Sequence, residues 1–442
     1  MLLIGNGKVV TRDDACPFIE NGAVAIDGPV ITEVGETGVL KAKYPEARYI
    51  DARGRLVMPG FINTHMHYYS TFARGISLGG KPATTFGEVL RGLWWRLDKQ
   101  LTLEDVYYSA VGPMIDQIHS GVTSVIDHHA SPYAVAGSLF KIAEAAQQFG
   151  IRSNLCYEIS DRDGAAIKDA GIKENVDFVK HCKAQNNDMM KGLIGIHAQI
   201  TISEKTLNEC IEAAAGLDVG FHIHAAEGIE DVVDALSKYD MRVIERLYRY
   251  KVLSDKTIAV HCIHITEEEM DMLKDSGVAV VHNPESNMGN AVGVSPVLAM
   301  LKKGILVGMG TDGYTADMTE SYKVAAILHK HAAKIPSVAW AEPPQMLFKN
   351  NKAIMERFIQ GKVGTLSKDH YADIIIVDYQ GPTPVNENTI NSHILFGISG
   401  RHVDTTIING KIVMNDRELV GIDEAGLLAK SREQALQLWK RI

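Results

Sequence analysis

The chain has 442 residues, 46% of them apolar and 22% charged, with a formal net charge of −9. At about 150 residues per domain this is two or three domains, unless one large barrel takes up most of the chain. The acidic balance and the absence of a Lys/Arg-rich stripe exclude nucleic acid as the expected partner.

No stretch reaches the roughly 18 uninterrupted apolar residues of a membrane span, so no membrane partner is expected. Met1 to Asp13 has no basic segment leading into a long apolar run, unlike a signal peptide. The five cysteines, at positions 16, 156, 182, 210 and 262, form no C-x-x-C pair. Reduced thiols in a cytoplasmic protein are therefore expected.

In chain order, residues 1–59 carry short apolar runs separated by turns: Leu2-Leu3-Ile4, Ala23 to Ile26 closed by Asp27-Gly28, then Val30-Ile31. That texture predicts a small antiparallel sheet. From Gly60 the pattern becomes buried strand, loop and helix, repeated. Runs suited to fully buried parallel strands occur at Phe61-Ile62, Val122–Ile126, Asn154–Tyr157, Leu193–Ile196, Val219–Ile223, Thr257–Val260, Val278–Val281 and Ile305–Met309. Thr102 to Asp105 opens a helix that Gly121 closes, and Ala134 to Gln148 predicts another, closed by Gly150. Eight such strands with intervening helices predict an α/β fold, a (β/α)8 TIM-type barrel over residues 60–361. An open doubly wound sheet is the alternative, but no Gly-rich phosphate loop follows the first strand.

Strands return after Lys362, at Asp373–Asp378 and at Thr405–Ile408, which Asn409-Gly410 turns into Lys411–Val413. An amphipathic helix from about Asp423 to Arg441 ends the chain. Neither β-rich end has enough strands to bury a core alone. Residues 1–59 and 362–442 are therefore expected to form one small β-sandwich domain.

The predicted barrel strands end in candidate ligands. The first runs into His65-Met66-His67, the second into Asp127-His128-His129, and the fourth into His197. The fifth gives His222, His224 and Glu227, the sixth His261 and His264, the seventh His282, and the eighth Asp312. Barrel enzymes build their sites at these strand ends. One such histidine is ordinarily a satisfied core residue, but burying many costs free energy unless they are paired or hold a metal. His65 and His67 are two apart on a strand and share a face. Nitrogen and oxygen donors without thiolate suit Zn²⁺, Fe²⁺ or Mn²⁺.

Five segments carry a resemblance: Pro59–His67, His-Ala-Ala-Glu at 224–227, His-Cys at 261, His-Asn-Pro-Glu-Ser-Asn at 282–287 and Gly-Thr-Asp-Gly at 310. Together they resemble the amidohydrolase superfamily, in its aminohydrolase/chlorohydrolase (deaminase-like) branch. The resemblance implies one divalent metal ion, Zn²⁺ with Fe²⁺ as the alternative, held by His65, His67, His224 and Asp312. It makes Glu227 a proton shuttle to a ring nitrogen and His261 a residue that positions water or substrate. Binuclear relatives carry a lysine at the end of strand four, where His197 stands here, so one metal is expected. His197 matches a substrate-binding histidine of the branch. Asp127-His128-His129 resembles 8-oxoguanine-type deaminases and puts His129 among the substrate contacts. Homodimers are common among such relatives, and a homodimer is an expectation here too.

The residues support the same chemistry. A bound divalent ion lowers the pKa of water and makes a nucleophile available to an sp² carbon flanked by nitrogens. Asp312 can accept the water's proton, and Glu227 can protonate the ring nitrogen and then the leaving amine. Arg74, in the loop after strand one, is either a substrate contact or a loop anchor. Trp94-Trp95 is a candidate aromatic wall, and the 68–101 loop is long enough to act as a lid. The expected activity is hydrolytic deamination of a small purine-like heterocyclic amidine. Ring opening, dechlorination and a catalytically inactive scaffold are its rivals. One departure stands out: where related deaminases have Lys-Leu after strand seven, this chain has Gly289-Asn290.

Overall fold

The computed structural model describes residues 1–442. The eight predicted barrel strands all form, at Phe61–Met66, Val122–His129, Arg152–Tyr157, Ile194–Ala198, Phe221–Ala225, Ile258–His261, Ala279–His282 and Leu306–Met309. A short extra strand, Met190–Gly192, precedes the fourth and pairs with the third. Every barrel pairing between neighbouring strands is parallel. Backbone hydrogen bonds complete the ring at two seams: Asp312 N–H donates to the His65 carbonyl at 3.0 Å, and His197 N–H to the Ile159 carbonyl at 3.0 Å. These strands read as continuous apolar runs because helices cover the outside and side chains fill the inside.

Helix Leu103–His119 begins where expected. Thr102 and Asp105 cap each other reciprocally, the Thr102 hydroxyl receiving the Asp105 N–H at 3.2 Å. The next helix starts at Ser138, four residues after the expected Ala134. Gly137 stands before it with φ 86°, a left-handed conformation that prevents the helix from starting sooner.

Both chain ends enter one nine-stranded sheet. Ile374–Val377 joins the ends, pairing antiparallel with Leu56–Pro59 on one side and with Val403–Ile408 on the other. The sheet encloses its own apolar core, including Ile4, Val24, Ile31, Val57, Ile374 and Ile407. A buried ion pair, Arg152 to Asp373 at 3.1 Å, ties it to the third barrel strand. The closing helix, Glu424–Trp439, lies along Leu103–His119. Its Trp439 Nε1–H donates to the Phe72 carbonyl at 2.7 Å and pins the loop after strand one. No helix is long and apolar enough to cross a membrane.

Candidate active site

The carboxyl ends of the strands converge on His65, His67, His224, His261 and Asp312. Four of these side chains can be assigned a proton from their neighbours. His67 Nδ1 donates to the His128 carbonyl, and His224 Nδ1 to the His197 carbonyl at 2.8 Å. His261 Nδ1 donates to Asn287 Oδ1 at 2.8 Å. His65 Nδ1 lies 2.9 Å from His222 Nε2, while His222 Nδ1 faces Cys156 Sγ at 3.6 Å. A proton on each outer nitrogen leaves every inner Nε2 as a bare lone pair.

These lone pairs face one another and the Asp312 carboxylate. His67 Nε2 is 3.1 Å from His224 Nε2 and 3.3 Å from Asp312 Oδ1, and His65 Nε2 is 3.9 Å from that oxygen. The Nε2 atoms of His65 and His261 are buried without a hydrogen-bond partner. Burial, followed by the neighbouring imidazoles, holds His65 and His224 well below the usual histidine range, so neither carries the proton that would relieve the crowding. Two donors on one tetrahedral ion with arms of 2.0–2.1 Å stand about 3.4 Å apart, close to the tighter spacings here. The donor set fits a divalent cation, with His222 and the His128 and His197 carbonyls orienting its histidines.

Glu227 lies beyond the fifth strand, with Oε2 3.4 Å from His261 Nε2. Burial, and then the charge of Asp312, push its carboxyl well above the usual carboxylate range. Asp312 behaves oppositely. Burial alone would raise it, but His67 and His261 outweigh that and hold it below its ordinary value. The two carboxyls are thus shifted in opposite directions, Glu227 toward its protonated form and Asp312 toward its ionised one, the division of labour that acid–base chemistry at a single carbon requires. Ala226, His261, Cys262 and Asp312 also adopt left-handed φ of 50°, 71°, 47° and 54°. Such strain in non-glycine residues gathers where the backbone must aim a side chain.

A recess opens onto these groups, walled by Tyr69, Phe86, Trp94, Trp95 and Tyr314. The 68–101 segment that supplies most of this wall is largely short helical turns. One of them is capped by Thr85 and Glu88, a Thr-x-x-Glu signature readable in the sequence. His197 lines the recess, as a substrate-contacting residue would. Arg74 and His129 do not. Arg74 is half exposed and pairs with Asp116 at 2.9 Å, because its loop turns outward against helix Leu103–His119. His129 is fully buried behind Tyr69, with Nε2 2.9 Å from Ser131 Oγ. Sequence reasoning missed Glu158 and Tyr314, both of which line the recess.

Gly289 and Asn290 have a physical reason to depart from Lys-Leu. A Cβ on Gly289 would lie 1.6 Å from the Tyr314 hydroxyl oxygen, so glycine here lets Tyr314 reach the recess, and Asn290 lines it. Gly289→Ala should displace Tyr314 and raise KM about 10-fold with little change in kcat, as steady-state kinetics will show. Nearby, burial raises Glu285 to about 7, opposed by a hydrogen bond from Ser321. A carboxyl raised on folding contributes its full stability below its unfolded pKa and loses it as pH rises through the folded value. Glu285→Gln should therefore flatten the fall in unfolding free energy between about pH 4.5 and 7, measured by denaturant titration across that range.

A closed parallel barrel with imidazoles and a carboxylate gathered at its strand ends is the architecture of a metal-dependent hydrolase. The chain belongs to the amidohydrolase family, which residues 56–413 match. Residues 22–47 match the imidazolonepropionase-like composite domain of bacteria. It is 30% identical over 445 residues to a 5'-deoxyadenosine deaminase of Methanosarcina mazei, covering 100% of this chain and 99% of that one. It is 28% identical over 444 residues to a 5-methylthioadenosine/S-adenosylhomocysteine deaminase of Pelotomaculum thermopropionicum, covering 100% and 99%. Among solved structures it resembles a zinc-bound adenosine deaminase from Xanthomonas campestris, with TM-score 0.88, 24% identity and 99% and 98% coverage. It also resembles the zinc complex of atrazine chlorohydrolase TrzN from Arthrobacter aurescens, with TM-score 0.83, 24% identity and 98% and 100% coverage. At that identity these two likenesses bear on the fold alone. Fold and family together make the chain a hydrolase of carbon–nitrogen bonds other than peptide bonds.

Proposed function

We propose that the protein deaminates a purine-like heterocyclic amidine by adding water at the carbon that bears the amine. The reading rests on one observation above the others: the inner imidazole nitrogens of the strand-end histidines crowd the Asp312 carboxylate, with the buried Glu227 carboxyl beside them. His65, His67, His224 and Asp312 would hold a divalent cation, Zn²⁺ by analogy with the zinc-bound neighbours. When bound, such an ion lowers the pKa of water toward neutrality. Asp312, kept ionised, takes the water's proton. Glu227 gives its own to the ring nitrogen beside the attacked carbon and takes one back from the new hydroxyl as the carbonyl forms, while the proton held by Asp312 passes to the leaving amine, which departs as ammonia. His261 is fixed by Asn287 with its Nε2 toward both carboxyl groups, and orients the water through that lone pair. The aromatic wall stacks on the ring, and His197 contacts its edge.

The names of the relatives supply the panel: 5'-deoxyadenosine, 5-methylthioadenosine, adenosine and guanine. Zinc-loaded protein is incubated with each while ultraviolet spectra and ammonia are recorded together. Ammonia released in step with the spectral change is the expected result. A spectral change without ammonia would replace deamination by ring opening.

A further inference from the structure

Glu158 is unexplained by the mechanism above. It follows the third barrel strand, is 5% exposed, and lines the recess from the flank of His128 and His197. Glu227 stands on the other flank, with His261. The carboxylate of Glu158 has only distant neighbours. Arg162 Nη2 is 3.5 Å from Oε1, His197 Nε2 3.6 Å from Oε1, and His128 Nδ1 3.4 Å from Oε2. Arg162 is shared between Glu158 and a second carboxylate. Its Nη2 donates to Asp98 at 2.8 Å, its Nε to Ser160 at 3.1 Å, and its guanidinium lies 4.9 Å over the Trp95 ring.

Two imidazoles face Glu158 through ring nitrogens at 3.4 and 3.6 Å. The Thr201 hydroxyl donates to the Ala198 carbonyl at 3.1 Å, so it accepts from His197 Nδ1 at 2.7 Å and leaves His197 Nε2 as a lone pair. His128 Nε2 lies 3.1 Å from the His222 carbonyl, to which it can only donate, and its Nδ1 is buried without a hydrogen-bond partner. A buried carboxylate with one long hydrogen bond from Arg162, shared with Asp98, and a bare imidazole nitrogen thus open together onto the recess. A buried acceptor left unsatisfied costs roughly 1–3 kcal/mol, more when charged, so the site is built to be completed by something that donates.

We propose that Glu158 is a specificity-determining residue that, with His197 Nε2, accepts hydrogen bonds from a pair of donors on the substrate edge facing away from Glu227. This deepens the deaminase reading and rests on it. The donors are either ring N–H groups of a free base or the hydroxyls of a ribose. Substrates that present only acceptors on that edge are rejected, because their lone pairs would face those of the buried carboxylate, which would keep only the long, shared bond from Arg162.

Two probe pairs differ by one donor each: guanine against 9-methylguanine, and adenosine against 3'-deoxyadenosine. Each is titrated into zinc-loaded Glu227→Gln protein, in which turnover is slowed, and binding is followed by the fluorescence of Trp94 and Trp95. The same titrations are made with Glu158→Gln added. In one pair the donor-bearing member should bind about 10- to 100-fold tighter, and Glu158→Gln should erase most of that ratio while changing the donor-deleted member less than about 2-fold. Discrimination in the guanine pair assigns the donor to the ring, and in the adenosine pair to the ribose. Equal weakening of both members by Glu158→Gln, or no weakening, overturns the proposal and leaves the deaminase reading standing. If no probe binds Glu158-containing protein, the purine reading falls and this inference with it. Should Glu158→Gln not fold, the ratios in Glu158-containing protein decide alone, and ratios near one overturn the role.

Discussion

Glu227→Gln lowers kcat by about 10²- to 10⁴-fold, the range for losing a positioned general acid, and leaves the metal content unchanged. The carboxyl lies in a buried setting beside Asp312 that keeps it protonated, and it makes no contact with the inner nitrogens of His65, His67 or His224. Glutamine keeps the volume and the hydrogen-bond donor but has no proton to transfer. Steady-state kinetics beside metal analysis separate the two effects. An unaltered kcat would remove Glu227 from the chemistry, whereas a parallel loss of metal would make it a structural support of the ligand set.

His224→Ala empties the site. Its Nε2 stands 3.1 Å from that of His67, and without it the cation keeps three of four protein donors in a geometry built around the fourth, so that its affinity falls steeply. Metal retained after dialysis should drop to near zero per chain, and turnover should fall with it. His222 gives a graded comparison. It touches the site only through His65 Nδ1, so His222→Ala should weaken metal affinity about 10- to 100-fold without abolishing binding. Retention of metal by His224→Ala would sink the assigned ligand set.

The barrel was legible because its strands are buried on both faces and read as apolar runs of fixed spacing, and because a strand's end is where a polar residue breaks the run. That same break exposed His65, His67, His224, His261 and Asp312. Side-chain direction in loops leaves no such mark. Arg74 sits in a loop whose outward turn depends on its pairing with Asp116, 42 positions away. His129 is adjacent to His128, but the alternation along a strand sends neighbours to opposite faces, which takes His129 to Ser131 and Tyr157. Glu158 was hidden by its ordinary setting, a glutamate just past a strand, where solvated carboxylates are common. Only its burial distinguishes it. Tyr314 and Gly289 explain each other in space, and 24 intervening residues conceal that in the chain.

The ring closes where the His65 carbonyl receives the Asp312 N–H, and beside it Asn63 Nδ2 donates to Thr311 Oγ1 at 2.8 Å across a separation of 248 residues. The seam that shuts the barrel is therefore also the seam that brings the last ligand to the first. During synthesis, His65, His67 and His224 are all made long before Asp312 exists, and until then the growing chain presents histidines without the carboxylate that completes the set. A chain in which that seam has not closed therefore has neither a closed ring nor the full proposed cation site.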